Sequence, residues 1–204
     1  MIDRRLFVTG AAAAGFARVL RPGSAFAETP EWAQKLVCAA ESQIGQTVIY
    51  DPAYVRLGYP GGDVPRDRGV CTDVIVRAYR DALGIDLQVK LHEDMRRNFA
   101  AYPKLWGMSA PDPNIDHRRV PNLRTYFRRR KAEQGVSTAA GDYLVGDIVS
   151  QLLPGNLAHI GIVSDKLADD GATPLIVHNI GAGAQCEDTL FAFQITGHYR
   201  FSGS

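Results

Sequence analysis

The sequence predicts an α+β domain in which helices from the first half of the chain pack on an antiparallel sheet formed by the second half. Two observations support this prediction. Before residue 135 the apolar residues recur at helical spacing. After it the apolar segments are short, rich in β-branched residues and separated by Gly, Pro, Asn and Asp, as is typical of strands. A run of helices followed by a run of strands indicates segregated α and β layers.

Four segments have the apolar spacing of amphipathic helices. The first runs from Thr29 to Ile44, and the second runs from Thr72 to Leu83 and stops at Gly84, a residue type that commonly ends helices. The third is "HEDMRRNFAAYP" and the fourth is "LRTYFRRRKAEQG". The stretches "YDPAYVRLGYPGGDVPRDRG" and "PDPNIDHRRVPNL" are dense in Pro and Gly, so we expect irregular loops there.

Four later segments have strand patterns: "GDIVSQL", "AHIGIVSD", "PLIVHNIG" and "ITGHYRF". Alternation along the second puts Ala158, Ile160 and Ile162 on one face and His159, Gly161 and Val163 on the other. Gly161 on the histidine face leaves room for another element to approach closely. In the third strand, His178 and Asn179 point to opposite faces, so they cannot both face His159 on a regular strand.

The first 27 residues have the pattern of an export signal. Arg4 and Arg5 precede the weakly apolar run "VTGAAAAGFA", and a small-x-small triplet ends at Ala27, the predicted cleavage position. The paired arginines resemble a twin-arginine signal, which predicts a periplasmic or otherwise extracytoplasmic protein. The alternative, an amphipathic membrane tether, is disfavoured by Arg18, Arg21, Pro22 and Gly23. No other apolar run approaches the ~18 residues of a bilayer span, so we expect no stable membrane insertion after cleavage.

Residues 28–204 are predicted to form one domain. They number 177 and carry 19 basic and 21 acidic side chains, a formal net charge of −2. A nearly neutral chain is a poor candidate for nonspecific binding of nucleic acid. The length suits a single hydrophobic core, and we expect a monomer.

Three cysteines occur, at Cys38, Cys71 and Cys186. An oxidising compartment would allow two of them to pair, and Cys38 with Cys186 is the natural choice, which leaves Cys71 as a free thiol. Alternatively, Cys38 is an ordinary core residue, because it lies within the apolar helical pattern "WAQKLVCAAESQI". The sequence leaves both possibilities open.

Cys71 stands at the start of the second helix, in line with its buried stripe of Ile75, Ala78 and Ala82. The free amides and the dipole at a helix N-terminus favour an anion, so this position predicts a thiol of depressed pKa. The negative charge of Asp73 opposes this lowering of the thiol pKa. Such a thiol is a candidate nucleophile, and the competing interpretation is an inert buried cysteine.

Two of the five histidines, His159 and His178, lie inside apolar strand patterns, where a titratable group needs an explanation. A cysteine at a helix N-terminus, a histidine on one strand and a polar residue on the next match the order nucleophile, base and orienting group. The sequence therefore predicts a candidate catalytic set of Cys71, His159 and His178.

The segments "YPGGDVPRDRGVCTD", "YLVGDIVSQLLPGNLAHIGIVSD" and "LIVHNIG" resemble the NlpC/p60 superfamily of papain-like cysteine peptidases. The resemblance puts Tyr59 in a Gly-Gly loop, Cys71 at the nucleophile, His159 at the base and His178 at the third polar position. Residues 146–149 fall on its first strand. The segments "GVCTDVIVRAYR", "NIDHRRVPNL" and "ITGHYR" are similar in sequence to the DUF1287 group of uncharacterised secreted bacterial proteins. This likeness covers most of residues 50–201.

The resemblance implies a papain-like fold, N-terminal helices packed on a small antiparallel sheet, and cleavage of amide bonds in peptidoglycan stem peptides. It implies acyl transfer without any metal or organic cofactor. Thr72 and Asp73 stand where the superfamily has Ser-Gly, and the spacing from His159 to His178 is wider than usual. These departures leave the substrate open, including the choice between a stem endopeptidase and an amidase.

Several further residues are candidates for substrate or oxyanion contacts. Tyr59 or Tyr54 could assist the backbone amide of Cys71 in stabilising the oxyanion. Arg118 and Arg119 could bind a substrate carboxylate, or they could tie down their own loop through internal salt bridges. We prefer a solvated helix face to a metal site for His92, Glu93 and Asp94.

Three alternatives compete with the hypothesis of a hydrolase that cleaves wall peptides. A noncatalytic module could use the same cleft to hold wall fragments, and a cysteine amidase or esterase could act on a substrate outside the wall. A thiol redox protein is less favoured because the chain has no C-x-x-C.

Overall fold

The computed structural model describes residues 28–203 and shows four helices and an antiparallel sheet, in agreement with the predicted α+β class. The helices are α1 (Glu31–Glu41), α2 (Cys71–Leu83), α3 (Leu87–Asn98) and α4 (Val120–Arg129). The strands are β1 (Ile49–Tyr50), β2 (Arg68–Gly69), β3 (Glu133–Gln134), β4 (Ile148–Leu153), β5 (Leu157–Leu167), β6 (Pro174–His178), β7 (Gln185–Glu187) and β8 (Gln194–Tyr199). Short 3-10 turns span Phe99–Ala101, Asp116–Arg118 and Ala140–Asp142.

The main sheet has six strands in the order β3-β8-β4-β5-β6-β7, and every neighbouring pair is antiparallel. The hairpin of β4 and β5 lies at its centre and pairs Leu153 with Leu157. Gly155 and Asn156 in the connecting turn have positive φ angles of 79° and 59°. Glycine and asparagine adopt this conformation at low cost, so the turn holds β4 and β5 in register. Strands β1 and β2 form a separate parallel pair beside the start of α2.

The helices cover one face of the sheet, here called the inner face. Ile160, Ile162 and Val177 on that face belong to one buried cluster with residues of α1, α2 and α4. A smaller cluster covers the outer face and includes Val163 and Ile176. The alternation predicted for β5 is therefore confirmed, and this strand is apolar on both sides because both are covered.

The element boundaries differ from the prediction where single capping residues decide them. α3 begins at Leu87, before the predicted start at His92, because the Asp86 side chain accepts hydrogen bonds from the amides of Gln88 and Val89. α4 has a proline in its first turn, where its missing N–H costs no hydrogen bond. Four strands, β1, β2, β3 and β7, were not predicted, since two or three residues are too short for a periodic signal.

The predicted export signal, residues 1–27, lies outside the described residues. Within residues 28–203 no helix is both long and apolar enough to cross a bilayer. The three cysteines have free thiols, so the Cys38–Cys186 disulfide considered above is not formed. Cys38 is exposed on α1, and the Cys186 sulfur lies 3.9 Å from Glu41 Oε1.

Candidate active site

Cys71 is the first residue of α2 and is 5% exposed. Ile75 and Ala78 lie beneath it in the core, as the helical spacing predicts, and Ala82 is partly buried. The carboxylate of Asp73 accepts a hydrogen bond from the Val70 amide at 2.7 Å, which fixes the entry into the helix. The fold therefore holds the thiol at the N-terminal end of a well-packed helix.

Burial dominates the electrostatics of this thiol. The backbone amides of Ile160, Thr72 and Cys71 point at the sulfur and lower its pKa, whereas the charge of Asp73 raises it. Loss of hydration is the largest effect and raises the pKa of Cys71 to about 12. The predicted depressed pKa is therefore wrong, because the helix terminus acts on a group that has lost its water.

His159 and His178 are in direct contact. Nε2 of His159 lies 2.8 Å from Nδ1 of His178, and Nε2 of His178 lies 2.9 Å from Oε2 of Glu187. Burial, and to a smaller extent the neighbouring His178, lower the pKa of His159 to about 3. Burial also lowers the pKa of His178, and the Glu187 carboxylate opposes that shift. The two rings form a neutral pair with a carboxylate at its outer end.

A glycine makes the contact between the two rings possible. A Cβ atom on Gly161 would lie 2.4 Å from Cγ2 of Ile176 and 3.1 Å from Cβ of His178. Any side chain there would push β6 away from β5, so the predicted close approach at Gly161 is confirmed. Asn179 faces the other way, as alternation requires, and donates to the Gly69 carbonyl at 3.1 Å. That bond ties the end of β6 to the residues just before Cys71.

The thiol lies beside the strand that carries the base, without a hydrogen bond between them. The amide that reaches the Cys71 sulfur belongs to Ile160, the residue after His159. β6 pairs with β5 only from Ile162 onward, so the stretch of β5 that bears His159 has a free edge on that side. Among residues 28–203 the contacts of His159 include no hydrogen bond to Cys71. Catalytic hydrogen bonds are often long before substrate binds.

A cavity of about 500 Å³ opens onto Cys71. Its walls are mainly apolar and include Leu105, Trp106, Leu157 and Ala158. Trp106 adopts a positive φ of 64°, and the guanidinium of Arg119 lies 4.2 Å above its ring. Tyr50 also lines the cavity, and its pKa is raised by burial and then by the neighbouring Cys71 and Asp73. The phenol of Tyr50 and the thiol of Cys71 therefore line the same cavity.

Arg118 and Asp73 form a buried ion pair behind the cavity. Their side chains are 2% and 4% exposed, and Nη2 of Arg118 lies 3.0 Å from Oδ2 of Asp73. Arg118 also donates to the carbonyls of Asp51 and Ala53 at 2.8 and 2.9 Å. The internal role considered for Arg118 is the one that the structure shows, since its donors are already engaged. Asp73 has a structural role as well, because it anchors both Val70 and Arg118.

Arg119 is likewise engaged inside the protein. Its guanidinium stacks on Trp106, lies 3.6 Å from Asp116 Oδ1 and donates to the sulfur of Met108. It holds the loop that carries Trp106 against the turn before α4. Arg119 also lines the cavity at Cys71, so its predicted contact with a substrate carboxylate stays a prediction.

The two tyrosines predicted for the oxyanion lie away from the thiol. The ring of Tyr59 packs edge-on against His92, 5.3 Å between centroids, and the Tyr54 hydroxyl donates to Asp112 at 3.0 Å. Neither lines the cavity at Cys71. The sequence interpretation missed Tyr50, which the pairing of β1 with β2 brings to the start of α2, and Glu187 in β7. Tyr50 carried no sequence signal that separated it from the other two tyrosines.

Of the remaining histidines, His198 belongs to a structural hydrogen-bond network. His198 Nε2 lies 2.7 Å from Asp147, and Arg200 binds the same carboxylate at 2.8 Å. His117 is buried, and its pKa is lowered to about 4 by burial and by neighbouring arginines. In the described part of the chain, no three or more His, Cys, Asp or Glu side chains group together as metal ligands.

Comparison with known proteins adds a family and a relative. The sequence profile of DUF1287, a domain of unknown function, matches residues 37–201. The uncharacterized protein YijF of Escherichia coli (strain K12) is 59% identical over 162 residues, which cover 79% of this chain and 78% of that protein. The matched region contains every residue of the site described above.

Proposed function

This chain belongs to the DUF1287 family of domains of unknown function, and on that premise we propose that it is a cysteine hydrolase. The proposed enzyme has a papain-like fold of the NlpC/p60 type and cleaves amide bonds in bacterial cell-wall peptides. We place it in the periplasm or another extracytoplasmic compartment, after export by the signal in residues 1–27. The observation that carries the proposal is the hydrogen-bonded His159–His178 pair on the sheet whose Ile160 amide points at the Cys71 thiol, which lines a cavity.

The first chemical step forms an acyl-enzyme. The step requires the His159 ring and the Cys71 thiol, which share no hydrogen bond at rest, to come within hydrogen-bond distance. His159 then takes the proton of the thiol as the sulfur attacks the amide carbon of the substrate. The oxyanion accepts hydrogen bonds from the Cys71 amide and from the Tyr50 hydroxyl, which replaces Tyr59 and Tyr54 in that role. The C–N bond breaks as His159 returns its proton to the leaving amine.

The second step releases the acid. His159 takes a proton from water, the hydroxide attacks the thioester carbon, and the C–S bond breaks. The sulfur recovers its proton from His159, so the enzyme returns to its starting state. No metal or organic cofactor takes part in the proposed cycle.

The raised pKa of the thiol favours proton transfer during the attack over a thiolate that is formed beforehand. Because burial disfavours the thiolate and also disfavours a charged His159, the resting enzyme holds a neutral thiol and a neutral imidazole. Proton transfer then accompanies the attack on the carbonyl, as it does for serine nucleophiles. The carbonyl carbon of a substrate that enters the cavity is the electrophile that the sulfur attacks in this step.

Digestion of purified peptidoglycan tests the proposal. The wild type, Cys71→Ala and the control Cys38→Ala, which removes an exposed cysteine on α1, are compared. We expect new free amines and lighter muropeptides, resolved by mass spectrometry, from the wild type and the control but not from Cys71→Ala. The position of the new amine distinguishes a stem endopeptidase from an amidase. Identical products from all three proteins would contradict the proposal.

A second candidate, a noncatalytic module that binds wall fragments, is favoured by the burial of Cys71 and its raised pKa. In that case the wild type would bind soluble muropeptides in calorimetry without turning them over. Cys71→Ala would then bind them with unchanged affinity. A cysteine amidase or esterase with a substrate outside the wall would instead be inactive on peptidoglycan while small acyl esters acylate Cys71.

A further inference from the structure

Glu187 ends a chain of three hydrogen-bonding side chains. Its Oε2 lies 2.9 Å from Nε2 of His178, and Nδ1 of His178 lies 2.8 Å from Nε2 of His159. His178 has no exposed surface on its side chain, whereas the Glu187 side chain is 49% exposed. The three side chains therefore connect the half-exposed Glu187 to the buried His159, which precedes the residue whose amide points at the Cys71 sulfur.

The direction of the hydrogen bonds follows from what each atom can do. A carboxylate only accepts hydrogen bonds, so Nε2 of His178 must carry a proton. A neutral imidazole has one N–H, so Nδ1 of His178 then holds a lone pair. That lone pair can only accept, so the proton of His159 must be on Nε2. Nδ1 of His159 is left as a lone pair, which is the form required of a general base.

We propose that Glu187 is a positioning residue that sets the tautomers of His178 and His159 and so makes Nδ1 of His159 the basic nitrogen. The inference deepens the proposed function, on which it rests only for the role of His159 as base. The residues that set the tautomers lie on three successive strands of the sheet, since β5 carries His159, β6 carries His178 and β7 carries Glu187.

These hydrogen-bond directions, from His159 to His178 and from His178 to Glu187, require His178 to be neutral. If both its nitrogens carried protons, Nδ1 would donate to His159 and force the proton of His159 onto Nδ1. Burial lowers the pKa of His178, which keeps the ring neutral near pH 7. The groups that face it are His159 on β5 and Glu187 on β7, and only the second is an anion.

The tautomers can be measured without any substrate. In the purified protein labelled with ¹⁵N, long-range proton–nitrogen correlation spectra identify the protonated nitrogen of each histidine at pH 7. We expect His159 and His178 to be protonated at Nε2 in the wild type. Glu187→Ala should give a mixture of tautomers in both rings. Glu187→Gln should restore the wild-type pattern, because its amide oxygen accepts the same N–H.

Asp188→Ala is the matched control, since Asp188 is the adjacent exposed acid. It should leave the spectra unchanged. Two results would overturn the inference: a proton on Nδ1 of His159 in the wild type, or wild-type tautomers in Glu187→Ala. Because Glu187 is half exposed, its loss leaves no buried cavity, and the Glu187→Ala spectra should remain those of a folded protein.

The rate of Cys71 alkylation by iodoacetamide links the tautomers to reactivity. We expect Glu187→Ala to lower that rate by roughly two- to tenfold at pH 7, because part of the population then holds the wrong tautomer. Glu187→Gln should recover it, and a merely structural role would not produce this rescue. If the tautomers respond as expected but peptidoglycan is not cleaved, the proposed function fails and the inference stands. If they do not respond, the inference fails whatever the activity.

Discussion

The two halves of the site are held in place by different physical means. Behind the thiol, Asp73 and Arg118 form a fully buried ion pair that also ties down the segment after Tyr50. Around the base, two neutral rings are joined to a single half-exposed carboxylate. A buried charge without its partner is costly, whereas the loss of a surface carboxylate is not. We therefore expect changes on the thiol side to cost stability and changes on the imidazole side to cost reactivity.

The largest effect is expected from Asp73→Ala. This change leaves the Arg118 guanidinium buried without its partner and should lower the free energy of unfolding by about 3–5 kcal/mol. Chemical denaturation measures the loss. The control is Glu31→Ala, which removes an exposed ion pair with Lys35 and should leave the denaturation midpoint unchanged. Equal effects from the two changes would show that the buried ion pair behind the thiol contributes no more to stability than a surface pair.

The pH dependence of Cys71 alkylation gives the next largest effect. With the pKa of the thiol raised from 9.0 to about 12, the thiolate fraction at pH 7 is about a thousandfold below that of a free cysteine. Because the neutral thiol predominates at every pH below about 12, the reactive thiolate fraction increases as the pH rises. The rate should rise steadily from about pH 7 to 10, after subtraction of the Cys71→Ala background. A plateau near the ~8.5 of an unperturbed thiol would contradict the dominance of burial.

Gly161→Ala should have a smaller effect on stability and a clear effect on the base. The new Cβ would lie 2.4 Å from Ile176 Cγ2, so β5 and β6 must separate at a cost of about 1–3 kcal/mol. The contact between His159 and His178 should lengthen, which histidine NMR shifts report. Gly141→Ala adds the same methyl where nothing lies within 4 Å, and it should change neither observable.

The smallest effect is expected at Trp106, whose ring is stacked with Arg119 at the edge of the cavity. Trp106→Ala removes this cation–π contact, which contributes about 0.5–1 kcal/mol at exposed sites. Trp106→Phe keeps an aromatic face and should retain most of the stability in thermal unfolding. Equal losses from the two substitutions would show that the stacking contributes nothing.

The sequence predicts those parts of the molecule that depend on local patterns. Alternation along β5 correctly assigns Ile160 and His159 to opposite faces, and the close approach at Gly161 follows from the same alternation. The helical spacing correctly puts Cys71 above Ile75 and Ala78. These features need only the period of one element, so no knowledge of distant segments is required.

The missed features depend on contacts between distant segments. Arg118 is engaged with Asp73, 45 residues away, and with the Asp51 carbonyl, 67 residues away, so its sequence neighbourhood could not decide its role. Tyr50 lies in the cavity of the thiol because β1 pairs with β2, whereas the Gly-Gly motif drew attention to Tyr59. The thiol pKa had the wrong predicted sign because the helix terminus is visible in the sequence and the depth of burial is not.

The burial of Cys71 also bears on how long its sulfur survives. Oxidation of a cysteine to sulfenic acid and beyond proceeds through the thiolate and requires access to the sulfur. At Cys71 burial removes access and the raised pKa removes the thiolate, while Cys38 stands exposed on α1. An oxidant that meets this protein will consume Cys38 first. The burial and raised pKa that make the Cys71 thiol unreactive in the free protein also protect it from oxidation by peroxide until a substrate binds.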